Sequence, residues 1–162
     1  MLTKGIKDED FVNYRKPSMF IIFPQCSFKC DHENGCRLCQ NSHLAHIDGI
    51  EVEVDTIIQR YIDNPLTSAI VCGGLEPFDN FDDLCDIIRY ARFKYNIKDD
   101  IVIYTGYTEE EIKEHPLRSN IFEYDNIIIK YGRYRPNQEP HYDEVLGVNL
   151  ASDNQYAKRY SK

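Results

Sequence analysis

The chain has 162 residues, of which 42% are apolar and 28% charged, a composition typical of one globular domain. It carries 19 Lys and Arg against 27 Asp and Glu, a formal net charge of −8. Phosphate binding needs clustered basic residues, so this charge argues against a nucleic-acid partner. No apolar run approaches the roughly 20 residues that span a bilayer, and the first residues lack the apolar stretch of a signal peptide. These features predict a single cytoplasmic domain over residues 1–162, with no membrane partner.

The first half of the chain predicts two buried strands with a helix between them. The apolar run 19–23 ends at Pro24 and predicts a strand, and a cysteine-rich loop follows at about 25–41. Apolar residues at helical spacing over 55–62 predict a helix that ends before Pro65. Residues 68–72 predict the second strand, which ends at Gly73 and Gly74.

The second half continues the alternation. One apolar face over 81–91 predicts a longer helix, and residues 101–104 predict a third strand. Thr108 and Glu111 have the spacing of a capping box that begins a short helix. Residues 126–130 predict a fourth strand, 132–144 a long loop, 145–150 a last strand and the residues from about 152 a polar tail.

Strands that alternate with helices predict βαβ units, hence an α/β fold with a parallel sheet. Ligands of such sheets bind beyond the carboxyl ends of the strands. The cysteine-rich loop, the turn at 73–78 and the pair Thr105-Gly106 each follow a predicted strand. We therefore expect these three segments to meet at one edge of the sheet.

Four of the six cysteines share the polar loop after the first strand: Cys26, Cys30, Cys36 and Cys39. Cytosolic thiols stay reduced, so this cluster predicts metal or redox chemistry rather than disulfides. A compact run with short spacings favours an iron–sulfur cluster. A zinc site or redox-active thiols remain alternatives, although only Cys36 and Cys39 have the spacing of a zinc knuckle. Cys72 and Cys85 stand alone and are expected to pack as small hydrophobic residues.

The segment Gly73-Gly74-Leu75-Glu76-Pro77 is the second candidate site. Alone, its glycines predict only a strand-to-helix turn with positive φ. A carboxylate beside exposed backbone groups could also hold a zwitterionic small molecule. The segment becomes informative in combination with the cysteine-rich loop.

Together these motifs resemble the radical S-adenosylmethionine enzymes, whose signature is Cys-x3-Cys-x2-Cys after the first strand and Gly-Gly-Glu-Pro after the second. More narrowly, the chain resembles the activating proteins of anaerobic ribonucleoside-triphosphate reductase, a family of small glycyl-radical activases. The resemblance runs from about Asn13 to Gln155. It includes the segments Cys39-Gln40-Asn41, Tyr104-Thr105-Gly106-Tyr107-Thr108 and Ala151-Ser152-Asp153-Asn154-Gln155.

The resemblance implies a 4Fe–4S cluster held by Cys26, Cys30 and Cys39. It also implies an S-adenosylmethionine site formed by Gly73, Gly74, Glu76, Pro77, Thr105 and Gly106. The chain departs from the signature in two ways: the second cysteine gap is eight residues long, and Leu75 interrupts Gly-Gly-Glu-Pro. Cys36 is the competing third ligand. Cys39 is favoured because the residues that follow it match the family.

The implied reaction is reductive cleavage of S-adenosylmethionine to methionine and a 5′-deoxyadenosyl radical. This radical abstracts a hydrogen from a backbone glycine in the large subunit of the reductase. A flavodoxin or ferredoxin is the implied electron donor, and no side chain is needed as a general acid or base. Two alternatives are another small radical enzyme, such as a pyruvate formate-lyase-type activase, and a non-catalytic iron–sulfur or zinc module.

The length of the chain bears on the fold that the resemblance implies. A complete eight-stranded βα barrel needs about 200 residues or more, whereas this chain supplies about five βα units. A partial, open TIM-like barrel is therefore expected. Its open side would admit a macromolecular substrate.

Overall fold

The computed structural model describes residues 1–161. The strands are β1 (Leu2–Thr3), β2 (Gly5–Asp10), β3 (Ser18–Phe23), β4 (Ile50–Glu51), β5 (Ala69–Gly74), β6 (Asp100–Tyr104), β7 (Ile127–Tyr131), β8 (His141–Asp143), β9 (Val148–Leu150) and β10 (Tyr156–Tyr160). The α-helices are α1 (Lys29–Asn34), α2 (Val54–Ile62), α3 (Phe81–Arg89) and α4 (Glu109–Lys113). Short 3₁₀ helices span Ser42–His46, Pro77–Asn80 and Arg118–Glu123, and a π-helical turn at Tyr90–Lys94 extends α3.

The main sheet has six strands in the order β10-β7-β6-β5-β3-β2. The four central strands, β3, β5, β6 and β7, are parallel, as the βαβ pattern predicted. The α/β fold and the parallel core of the sheet are thus confirmed. The sheet is open, and its curvature into part of a barrel stays a prediction.

Both edge strands of this sheet are antiparallel to their neighbours, and the sequence interpretation had placed a strand at neither position. The predicted polar tail from about 152 is wrong, because Tyr156–Tyr160 forms β10 and pairs with β7. At the other edge, β2 pairs with β3. Edge strands have only one neighbour and half-exposed faces, so charged residues within them obscure the strand pattern.

The region after β7 also differs from the prediction. The expected loop at 132–144 contains β8, and the expected strand at 145–150 is shortened to β9. These two strands pair with each other, antiparallel, outside the main sheet. The predicted capping box is confirmed: the Thr108 hydroxyl accepts from the Glu111 amide at 3.2 Å, and the Glu111 carboxylate accepts from the Thr108 amide at 2.8 Å.

The two faces of the sheet are covered in different ways. The apolar faces of α2 and α3 pack on one face, where Ile57 and Ile88 join the larger hydrophobic core. The other face carries a smaller core in which Tyr14, Leu146 and Leu150 cover Val71, Val102 and Ile128. The candidate site lies at the carboxyl ends of the strands, where the smaller core meets the cysteine-rich loop.

Candidate metal centre

A cavity of about 520 Å³ lies at the carboxyl edge of the parallel strands. Its walls contain cysteines 26, 30 and 39, residues 74–76 at the end of β5, residues 105 and 106 after β6, and Lys130 near the end of β7. The segments that follow parallel strands all begin at the same edge of the sheet, so they lie near one another. The structure therefore brings together the three segments that the sequence placed at one sheet edge.

The cysteine-rich loop folds back on itself, so that Cys39 lies on the cavity wall with Cys26 and Cys30. Asp31 in α1 accepts hydrogen bonds from the backbone amides of Leu38 (2.9 Å) and Cys39 (2.8 Å). The Asp31 carboxylate thus holds together the two ends of the eight-residue segment that separates Cys30 from Cys39. Cys36 lies within this segment, is exposed and does not line the cavity.

The thiols of Cys30 and Cys39 lie close enough to form a hydrogen bond with each other. This hydrogen bond lowers the pKa of Cys39 to about 6 and raises that of Cys30, because one sulfur holds the proton for both. Burial raises the pKa of Cys26 to about 12. Of these three cysteines, Cys39 therefore ionises most readily. Thiolates are the metal-binding form of cysteine, so Cys39 is the readiest of the three to act as a metal ligand.

Within residues 1–161, no three side chains of His, Cys, Asp and Glu already surround a common point as ligands of one ion. A 4Fe–4S cluster makes a different demand, since each thiolate binds a separate iron at a separate corner. Cys26, Cys30 and Cys39 are half-buried on the wall of one cavity. Their number, chemistry and placement fit a cluster held by three cysteines.

The Glu76 side chain links the turn after β5 to the turn after β6. Its carboxylate accepts from the Phe78 amide at 3.1 Å, the Thr105 hydroxyl at 2.7 Å and the Gly106 amide at 2.8 Å. The side chain is buried, and burial raises its pKa to about 7 despite these three hydrogen bonds. Glu76 thus fixes the position of Thr105 and Gly106 relative to the turn after β5.

The two glycines of that turn have different roles. Gly74 has φ +86°, and a Cβ at this position would lie 2.5 Å from Cγ2 of Ile22. Only glycine fits there without displacing its neighbours. Gly73 lies beneath the Phe20 ring, where a Cβ would come within 3.0 Å of the ring. Neither Gly73 nor the buried Pro77 lines the cavity, so the structure separates these two predicted site residues from its wall.

A group of ion pairs holds the cysteine-rich loop against the rest of the site. Arg133 pairs with Glu33 of the loop at 3.1 Å and with Glu111 of α4 at 2.6 Å. The Lys29 ammonium lies 4.3 Å from the centre of the Tyr107 ring. A cation over an aromatic face is attracted by the ring quadrupole, so this contact adds a second anchor for the loop.

Sequence reasoning missed Asp31, Arg133 and Lys130 as parts of the site. The spacing of cysteines does not reveal which neighbouring carboxylate closes their loop. Arg133 lies in a segment that the sequence interpretation treated as an irregular loop. For Lys130 a signal did exist, since a lysine that directly follows three isoleucines in a buried strand is unusual.

The chain belongs to the family described as "4Fe-4S single cluster domain", which matches residues 17–155. It is also 30% identical over 131 residues to a protein of Methanocaldococcus jannaschii that bears the provisional name of a glycyl-radical enzyme activating enzyme. This match covers 80% of the chain and 50% of the relative, so the chain spans about half the length of that curated protein. No solved structure matches the chain.

The family assignment supports a 4Fe–4S cluster as the metal group of this site. It therefore favours the iron–sulfur interpretation of the cysteine cluster over the zinc interpretation. Across residues 1–161, no helix has the length and apolar character needed to cross a bilayer.

Proposed function

We propose that this chain is a radical S-adenosylmethionine activase that generates a glycyl radical on anaerobic ribonucleoside-triphosphate reductase. The observation that carries the proposal is the meeting of three cysteines with the turns after β5 and β6 in one cavity. The family supports the cluster, and the name of the methanogen relative supports glycyl-radical activation. The choice of the reductase as target rests on the narrower sequence resemblance.

Cys26, Cys30 and Cys39 would hold the cluster. Cys39 is the better candidate for the third ligand because it lines the cavity beside Cys30, whereas Cys36 is exposed outside it. When bound by three cysteines, a 4Fe–4S cluster keeps one iron open for S-adenosylmethionine and supplies the electron that cleaves it. The protein's own contribution is to bind, orient and shield the reactants.

The turns at 73–77 and 105–106 would hold S-adenosylmethionine. An ionised carboxylate has about four lone-pair sites, and Glu76 uses three of them for Phe78, Thr105 and Gly106. One site remains for a donor such as the amino group of the methionyl moiety. Gly74 lets the turn adopt its φ of +86°, because a side chain there would collide with Ile22. Gly73 and Pro77 would act indirectly, by shaping the turn beneath this surface.

The macromolecular substrate would reach the cavity at the carboxyl edge of the sheet. An open sheet, curved as part of a barrel, leaves room for a glycine-bearing segment of the reductase to approach the site. A flavodoxin or ferredoxin would supply the electron. The site needs no general acid or base, because hydrogen-atom abstraction moves the proton and electron together.

Anaerobic reconstitution followed by product analysis tests this proposal. The reconstituted protein, given dithionite and S-adenosylmethionine, is expected to form methionine and 5′-deoxyadenosine. Addition of the reductase should then yield a glycyl-radical signal in electron paramagnetic resonance, and addition of pyruvate formate-lyase should not. A radical on pyruvate formate-lyase alone would transfer the activity to the other activase class. A loaded cluster without any cleavage of S-adenosylmethionine would support a non-catalytic iron–sulfur module.

A further inference from the structure

Lys130 is the cationic residue of the site that the proposed function leaves without a role. It ends the run Ile127-Ile128-Ile129 in β7, is only 7% exposed and lines the cavity. Lysines are almost never buried to this extent unless they are paired. A buried, charged side chain at a cavity wall therefore requires an explanation.

The ammonium group of Lys130 has few partners. Its Nζ donates one hydrogen bond, to the Gly132 carbonyl at 3.0 Å, and that carbonyl also accepts from the Gln155 amide at 3.3 Å. An ammonium has three donors, and among residues 1–161 no carboxylate oxygen lies within 4.0 Å of Nζ. Burial lowers the pKa of Lys130 to about 8, although the negative charges of Glu76 and Cys30 act to raise it.

Other cations at the cavity wall differ from Lys130 in this respect. Arg133 is neutralised by Glu33 and Glu111. The Lys29 ammonium lies 3.6 Å from Glu111, and its side chain is 43% exposed to solvent. Solvent and counter-charges screen both of these groups, whereas the charge of Lys130 acts through buried surroundings of low dielectric constant.

We propose that Lys130 raises the reduction potential of the cluster held by Cys26, Cys30 and Cys39. The inference rests on the proposed function for the existence of that cluster. Reduction adds one electron, taken from a one-electron donor, and so increases the negative charge in the cavity that the buried ammonium lines. Cluster potentials depend on nearby charge, hydrogen bonding and solvent exposure, and a buried cation favours the more negative state. Lys130 thus acts on the redox equilibrium through its charge, without contact with the reacting substrate atoms.

A redox titration of Lys130 variants tests this role. Lys130→Met removes the charge at nearly constant volume, Lys130→Gln also keeps a donor for the Gly132 carbonyl, and Lys130→Arg keeps the charge. The matched control is Lys98→Met, since Lys98 is exposed and lies two residues before Asp100, at the amino end of β6 and so at the opposite edge of the sheet. Each reconstituted protein is poised at fixed potentials without S-adenosylmethionine, and its reduced fraction is read by electron paramagnetic resonance.

In Lys130→Met and Lys130→Gln, the ratio of reduced to oxidised cluster at a fixed potential should fall about tenfold, which corresponds to 59 mV for a one-electron couple. Lys130→Arg and Lys98→Met should remain close to the wild-type curve. Equal potentials for wild type and Lys130→Gln would overturn the inference, even if Lys130→Met failed to fold. A parallel shift in Lys98→Met would also overturn it, because the effect would then be one of net charge.

This titration separates the inference from the proposed function. Failure of the wild-type protein to bind a 4Fe–4S cluster would refute the proposed function and, with it, the premise of the inference. A wild-type cluster that cleaves S-adenosylmethionine, with potentials insensitive to Lys130, would refute the inference alone.

Discussion

Two buried carboxylates at opposite edges of the sheet have opposite environments. Glu76 follows β5 at the carboxyl edge, accepts hydrogen bonds only from neutral donors and lines the cavity. Asp100 begins β6 at the amino edge and accepts from Lys16 at 2.7 Å, from Tyr14 at 2.8 Å and from Arg159. Each carboxylate joins several chain segments, but only Asp100 is paired with cations.

The difference appears in the pKa values of the two groups. Burial raises the pKa of Glu76 to about 7. Burial acts on Asp100 in the same direction, but hydrogen bonds from Arg159, Lys16 and Tyr14 outweigh it and hold its pKa well below the usual range. A buried carboxylate neutralised by cations serves stability, because its charge is already compensated. A buried carboxylate that faces a cavity without a cation partner remains available to a cationic ligand, which supports our proposal that the carboxyl edge is the functional one.

The largest effect is expected from a cysteine at the carboxyl edge. Cys39→Ala should abolish cluster binding, because it removes the thiol that lies beside Cys30 on the cavity wall. Cys36→Ala is the matched control and should bind iron and sulfide like the wild type, since Cys36 is exposed outside the cavity. Iron and sulfide content after anaerobic reconstitution measures both. Cluster loss in Cys36→Ala with retention in Cys39→Ala would make Cys36 the third ligand.

At the amino edge, Asp100→Ala should destabilise the fold and leave the site chemistry intact. The substitution leaves Tyr14, Lys16 and Arg159 without their common acceptor. Breaking a buried ion pair costs about 3–5 kcal/mol, and the partial exposure of Lys16 and Arg159 reduces the expected loss to about 2–3 kcal/mol. Urea denaturation measures this loss. Cluster content per folded chain should equal that of the wild type, and a selective loss of cluster would contradict the division between the two edges.

Glu76→Gln should have a smaller effect on stability and a larger one on ligand binding. The amide presents a donor where the carboxylate had an acceptor, so at least one of the bonds to Phe78, Thr105 and Gly106 is lost. Leaving a buried group unpaired costs about 1–3 kcal/mol. The affinity for S-adenosylmethionine should also fall, because the remaining acceptor for its amino group is weakened. Unchanged affinity in equilibrium dialysis of the reconstituted variant would remove Glu76 from the ligand site.

A pH dependence of stability that belongs to Glu76 is also expected. Its pKa is higher in the folded state, about 7, than the ordinary value of 4.5 in the unfolded state. Between these values the folded protein binds more protons, so its free energy of unfolding should decrease as the pH rises from 4.5 to 7. Above pH 7 this contribution is constant. Denaturation at several pH values in wild type and Glu76→Gln measures the difference, and an identical slope in both proteins would contradict the assignment.

The parallel core of the fold could be predicted because its strands are continuous apolar runs. Residues 101–103 and 127–130 are buried, so burial dominates their composition. The edge strands β2 and β10 could not be predicted in the same way. Lys158 and Arg159 in β10 are compatible with an exposed tail until their partners, Glu109 and Asp100, are brought near by the fold.

The candidate site likewise has one part that could be predicted from the sequence and one part that could not. The segments that meet at the cavity could be predicted, because the topology of a parallel sheet determines which loops share an edge. Which cysteine returns to Cys30 depends on Asp31, and the role of Lys130 depends on what lies within a few ångströms of its ammonium. These are contacts of single side chains with backbone groups in the folded chain, and neither spacing nor composition reports them.

The central claim is that the cavity holds a 4Fe–4S cluster with an iron open to S-adenosylmethionine. Electron paramagnetic resonance of the reconstituted, dithionite-reduced protein, recorded with and without S-adenosylmethionine, tests it most directly. The account predicts a reduced 4Fe–4S signal that changes when the cofactor is added. Uptake of zinc in place of the cluster, or a cluster signal that is indifferent to S-adenosylmethionine, would contradict it.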